Sequence, residues 1–189
     1  MRNAMLGLIL GVLTVAPVVL AQSHDQHAAP AKAMTSAQKI KLALSAGPAD
    51  VTKSASVVDI GADGKMVELR KGTNGWMCMS APEAMCLDKQ WQNWADAWMS
   101  KKDPKITAVG IGYMLRGDQG ASNTDPFATA KTANNEWVVS PPHVMVLTPD
   151  TKELNTLPTD WHGGGPWVMW KGTKYAHIMV PMTTMAAAK

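Results

Sequence analysis

Trp76 to Lys102 reads W-M-C-M-S-A-P-E-A-M-C-L-D-K-Q-W-Q-N-W-A-D-A-W-M-S-K-K and holds both cysteines and four of the eight tryptophans. A short cysteine-bounded loop runs directly into a segment with tryptophan at 91, 94 and 98, the spacing of one helix face. Asp88 is placed to cap that helix, and Leu87 and Ala95 extend the apolar stripe while Gln90, Asn93, Asp96 and Lys101 fall elsewhere. A covalent staple and the bulkiest side chains sit next to each other. In a chain with one Phe and two Tyr, tryptophan is the aromatic filler, so the stretch predicts a structural anchor rather than a stacking platform.

Outward from this anchor, the N-terminus sets the compartment. Residues 1–21 have a positive start at Arg2, an apolar run from Met5 to Leu20, and small residues at Val19 and Ala21 ahead of a cut before Gln22, the pattern of a secretory signal peptide. The expected mature protein is periplasmic or secreted and has no membrane segment once the signal is removed. Residues 22–34 lack a hydrophobic period and read as a flexible tail. Residues 35–189 are one domain's worth of chain. The formal charge of +3, or +2 without Arg2, is too small to hold a phosphate backbone, and no basic stripe interleaves with aromatics, which excludes nucleic acid as a partner class.

Two cysteines in an exported chain predict one disulfide, Cys78 to Cys86. Seven intervening residues do not match a redox C-x-x-C pair, and no further cysteine completes a thiolate metal site. Closing so short a loop stabilises the fold by about 2.5 kcal/mol on the chain-entropy estimate.

Thr35 or Ser36 can cap a first helix that Gly47-Pro48 ends, and a short second helix starts at Pro48. Ser56 to Ile60 and Met66 to Arg70 read as a hairpin around Asp63-Gly64. Ile106 to Leu115 is a strand with one face bared at Gly110 and Gly112, which a neighbouring side chain or a ligand must fill. The polar stretch from Gly117 to Glu136 is long enough to expect a functional or mobile loop. Later strands fall at Glu136 to Val139, His143 to Leu147, Trp167 to Trp170 and Tyr175 to Val180, with a helical turn near Thr151 to Asn155. Short strands joined by hairpins, with few helices, predict an α+β fold with a mainly antiparallel sheet, two N-terminal helices and one Trp-rich helix.

The chain has no dinucleotide fingerprint, phosphate loop, nucleophile elbow or H-E-x-x-H motif. Chemistry is concentrated in an internal echo, P-H-V-M-V-L (142–147) and A-H-I-M-V-P (176–181), in which the strand period puts His143 with Met145 and His177 with Met179. If the two strands are neighbours, imidazoles and thioethers line one face and Val144, Val146, Ile178 and Val180 face the helices. Imidazole with thioether suits copper, the cuprous ion above all. Methionine also fills core gaps, and strand histidines are commonly structural, so the set has a structural reading beside the metal one. A ligand surface built on His143 and His177 would add Tyr113, Asp125 and the long loop, with Trp167 and Trp170 as a pocket wall. The alternative is an enzyme of hydrolase or isomerase type pairing a histidine with Asp125, Tyr113 or Asp160 in a cleft; a further alternative is a protein-interaction module. At a terminus beginning Gln22-Ser23-His24, the amine, two amides and the His24 imidazole could wrap Cu(II) or Ni(II) as an accessory site.

The blocks T-N-G-W-M-C-M, M-C-L-D-K-Q-W-Q-N-W, G-A-S-N-T-D-P-F-A and G-G-P-W-V-M-W-K-G-T-K-Y-A-H-I-M-V-P resemble those of an uncharacterised family of exported bacterial proteins. They span most of the chain from Gly72 to Pro181. No activity attaches to that family. The resemblance therefore implies export and a single domain and assigns no catalytic residue.

Overall fold

The computed structural model describes residues 33–184, so the expected signal peptide and most of the expected tail, His24 included, lie outside the described residues. The fold is α+β and is built on an eight-stranded sheet of order β2-β1-β3-β4-β5-β8-β10-β9, whose pairs are all antiparallel except β1 with β3. Helix α1 (Ser36–Leu44) starts at Thr35, which closes a capping box: its hydroxyl accepts from the Gln38 amide and the Gln38 side chain accepts from the Thr35 amide. The short α2 (Ala49–Thr52) follows Pro48.

Strands β1 (Ser56–Ile60) and β2 (Met66–Arg70) form the expected hairpin, although only Gly64 of the Asp63-Gly64 pair takes positive φ. The cysteine loop is itself a hairpin of β3 (Met77–Met79) and β4 (Met85–Leu87). Cys78 and Cys86 stand directly opposite in its register and form the disulfide. Asp88 caps α3 (Lys89–Met99) by accepting from the Trp91 amide, and its second oxygen accepts from the Ile111 amide, fixing the helix to the adjoining strand.

That strand, β5 (Gly110–Met114), is bare for a reason. A Cβ at Gly110 would come within 2.8 Å of the Gln90 Cβ of α3, and one at Gly112 within 2.9 Å of the Met145 Cε. The bare face is filled by neighbouring side chains, and the helix rides close on the sheet. The long polar stretch contributes β6 (Ala121–Ser122), which pairs with β7 (Trp137–Val138) in a separate two-stranded sheet. The remaining strands are β8 (His143–Leu147), β9 (Trp167–Met169) and β10 (His177–Pro181).

The two faces of the sheet carry different cores. On one face α3 and the β6–β7 hairpin cover Leu87, Met114, Met145, Leu147, Met169 and Met179, with Trp91, Trp94, Trp167 and Trp170 packed among them. On the other, Ala43 of α1 and Ala46 just beyond its end cover Val57, Cys78 and Cys86, while a 3-10 turn at Thr151–Thr156 sets Leu154 against Val168. No helix among the described residues is long and apolar enough to cross a membrane.

Candidate functional site

Strands β8 and β10 are neighbours, as the echo between them requires. Their register sets Met145 opposite Met179 and His143 opposite Pro181, and on its other side His143 faces Met114 of β5. Directly opposed residues share a face with Cβ atoms about 5 Å apart. His143 therefore sits in one patch with the thioethers of Met114, Met145 and Met179. His177 lies across from Met169 of β9, at the far end of β10. Four strand positions separate its level from that of His143, roughly 13 Å of travel. The register therefore does not set the two imidazoles directly beside one another, as ligands of one ion with bonds of about 2 Å would need to be.

The expected orientation of the two strands is reversed. His143, Met145, His177 and Met179 are the buried residues, under the tryptophans of α3, and Val144, Val146, Ile178 and Val180 are only half-buried. The valines share the α1 face, but α1 packs chiefly over β1 to β4 on it. A period of two tells which side chains stand together. Which face is covered was decided elsewhere, by the glycines of β5 that let α3 approach.

Both imidazoles are held by the same device. The His143 Nδ1 bonds the carbonyl of Pro141 at 2.7 Å and the His177 Nδ1 that of Tyr175 at 3.0 Å, two residues back in each case. A carbonyl can only accept, so Nδ1 carries the proton in both rings and each Nε2 presents a lone pair. The His143 Nε2 is buried and has no hydrogen-bond partner among the described residues. Burial holds the His143 imidazole below its ordinary pKa, opposed by the Pro141 carbonyl and by the Asp118 carboxylate. His177 is lowered, to about 4, chiefly by burial and in lesser part by the charge of His143. Its ring is enclosed by Trp91, Trp94 and Trp170, each edge-on at centroid distances of 5.2, 5.6 and 5.1 Å.

The other expected ligand residues lie elsewhere. Tyr113 is on the opposite face of the sheet, stacked on Trp76 beside the disulfide. Asp125 is exposed and accepts from the Phe127 amide within its own turn. Asp160 pairs with His162 on the surface, away from both strand histidines. Trp167 and Trp170 are core residues, and their indole N–H groups donate to Asn123 and to the Ser122 carbonyl. These bonds, with the Trp98 indole donating to the Pro126 carbonyl, tie the first part of the long loop to the core.

Met114, Asp118 and Ser140 were not anticipated. Asp118 accepts from the Ser140 amide, and the buried Ser140 hydroxyl has no partner. Met114 was legible as the next residue on the Gly110, Gly112 face. Asp118 approaches His143 only through loop closure, which leaves no mark in spacing, whereas Ser140 stands three residues before His143 in the chain. Two shallow surface clefts, one around Lys152 and Lys174 and one of about 340 Å³ around Trp76 and Val109, include none of the expected site residues. Among the described residues no three His, Cys, Asp or Glu side chains converge on a metal-sized site. No family model, curated protein or solved structure matches the chain.

Proposed function

We propose that the protein is an exported, non-catalytic domain that binds a soft monovalent cation, Cu(I), through the His143 Nε2 and the thioethers around it. The observation that carries this reading is the unpartnered Nε2 of His143, whose ring orientation and tautomer are fixed from behind by the Pro141 carbonyl. A back-bonded imidazole with a free lone pair is the arrangement metal-ligating histidines use. Met114, Met145 and Met179 supply neutral soft donors, and methionine has the rotatable bonds to bring sulfur to an ion from neighbouring positions. A layer of neutral donors suits a singly charged soft ion and leaves a hard divalent ion uncompensated.

Leaving the acceptor unpaired costs about 1 to 3 kcal/mol, which a ligand on Nε2 would offset. The catalytic alternative has less support, because His143 is fully buried and neither surface cleft reaches it. The test is anaerobic titration with Cu(I) against a chromophoric chelator. One equivalent bound, with a sulfur and nitrogen shell by X-ray absorption, supports the reading; no Cu(I) withdrawn from the chelator overturns it. Export, and likeness to exported bacterial proteins, belong to the same proposal and are checked by N-terminal sequencing of protein recovered from the periplasm or medium.

A further inference from the structure

A second histidine lies outside this layer and has a different chemistry around it. Trp161–Gly163 forms a 3-10 turn whose cap, Asp160, accepts both from the His162 amide at 2.9 Å and from the His162 Nδ1 at 2.8 Å. The His162 side chain is 59 % exposed. Three glycines and Pro166 follow it. At Gly163, Gly164 and Gly165 an added Cβ would meet nothing within 4 Å, and Gly164 lies in the left-handed region at φ 71°. Among the described residues no side-chain acceptor holds the amides of these glycines.

Cu(II) prefers a tetragonal plane of nitrogen and oxygen donors. An imidazole anchors the ion next to the backbone amides that follow it, and there Cu(II) can displace amide protons. The chain must then flatten into fused chelate rings, a conformation that glycine reaches without a Cβ in the way. We propose that His162–Gly164 is a Cu(II) site, separate from the thioether layer, with the His162 Nδ1, the amide nitrogens of Gly163 and Gly164 and the Gly164 carbonyl oxygen as its in-plane donors. The Asp160 carboxylate releases Nδ1, and the imidazole proton moves to Nε2. Two amide protons pass to solvent, so the bound unit is uncharged and its affinity rises with pH. Pro166, without an N–H, ends the run of displaceable amides.

The test uses the full chain carrying His24→Ala and His27→Ala, which removes the rival tail histidines, loaded with one equivalent of Cu(II) at neutral pH. Electron paramagnetic resonance is expected to show coupling to three nitrogens. Gly163 does not require positive φ and has open space for a Cβ, so alanine fits there. Gly163→Ala keeps the displaceable amide and should keep the three-nitrogen signal; Gly163→Pro removes it and should reduce the coupling to a single imidazole nitrogen. His162→Ala should abolish binding. Failure to retain Cu(II), loss of the signal in Gly163→Ala, or its persistence in either Gly163→Pro or His162→Ala would overturn the assignment. None of these outcomes depends on His143 or on Cu(I).

Discussion

Met179 stands directly across from Met145 in the register of β10 and β8, and the two histidines flank that pair from opposite ends of the strands. The arrangement gives the histidines separate roles. His143 shares its sheet face with Met114, Met145 and Met179 and has a ring nitrogen with no partner among the described residues, whereas His177 is enclosed by tryptophan.

The enclosure makes stability depend on acid. His177 titrates near 4 in the folded chain against an ordinary value of 6.5, so between these pH values the unfolded chain binds the extra proton. Stability is complete above pH 6.5 and falls as pH drops toward 4, by about 3 kcal/mol from this residue. His143 is shifted in the same direction and adds to the loss. Urea midpoints measured from pH 7 to pH 4 should decline in the native protein and decline less in His177→Phe, which keeps an aromatic ring among the tryptophans. A midpoint that does not move over this range would contradict the burial argument.

Gly110 carries the approach of α3. Alanine there brings a Cβ against the Gln90 Cβ at 2.8 Å and the Leu147 Cβ at 3.2 Å, positions too near the backbone to give way easily. Gly110→Ala should destabilise by about 1 to 3 kcal/mol, as overpacking typically does. Gly112→Ala presses chiefly on the flexible end of Met145 and should cost less. Thermal melts of the two variants rank them, and equal stability would show that the helix is not held by this contact.

Much of the fold could be read from the chain, and the limits have physical causes. The capping residues Thr35 and Asp88, the β1–β2 hairpin and the tryptophan face of α3 all follow local rules of spacing and side-chain reach. The cysteine pair was legible because a count of two leaves each cysteine one possible partner. Strand period identified the His143 and Met145 side but could not say whether that side was covered, since the cover comes from a helix more than forty residues earlier in the chain. Tyr113 was placed with the histidines although it sits on the opposite face, because without a sheet order no register links β5 to β8. The Asn123 contacts to Trp167, Glu136 and Thr159 that anchor the long loop are equally nonlocal.

The first helix is tied to the sheet by one charge pair. The Asp59 carboxylate is buried, accepts from Lys39 and from the Ser80 hydroxyl, and is held below the ordinary carboxylate range chiefly by Lys39. Its contribution is present above the ordinary Asp pKa and is lost as pH falls through the lowered one. Lys39→Met leaves the carboxylate with neutral donors alone, the Ser80 hydroxyl and the Ile60 amide, and because Lys39 is itself a third exposed the expected cost is about 1 to 3 kcal/mol. Calorimetry at pH 7 should show it, and the difference from the native protein should shrink in strong acid.

Cys78 and Cys86 are completely buried beneath α1. Intact mass should therefore show two hydrogens missing, and the bond should resist reductant until the protein is unfolded. A Cys78→Ala, Cys86→Ala double variant should lose about 2.5 kcal/mol by the loop-closure estimate, measured by urea denaturation. Rapid reduction of the native protein would mean that the hairpin opens far more readily than its burial implies.

The central claim concerns one ring nitrogen and is tested most directly by comparing His143→Ala with His177→Ala in the same anaerobic Cu(I) competition titration. The proposed site predicts that His143→Ala loses the bound equivalent while His177→Ala, provided its circular dichroism shows it folded, retains it. Retention by His143→Ala, or equal loss in both folded variants, would contradict the assignment of the unpartnered His143 Nε2 as the ligand.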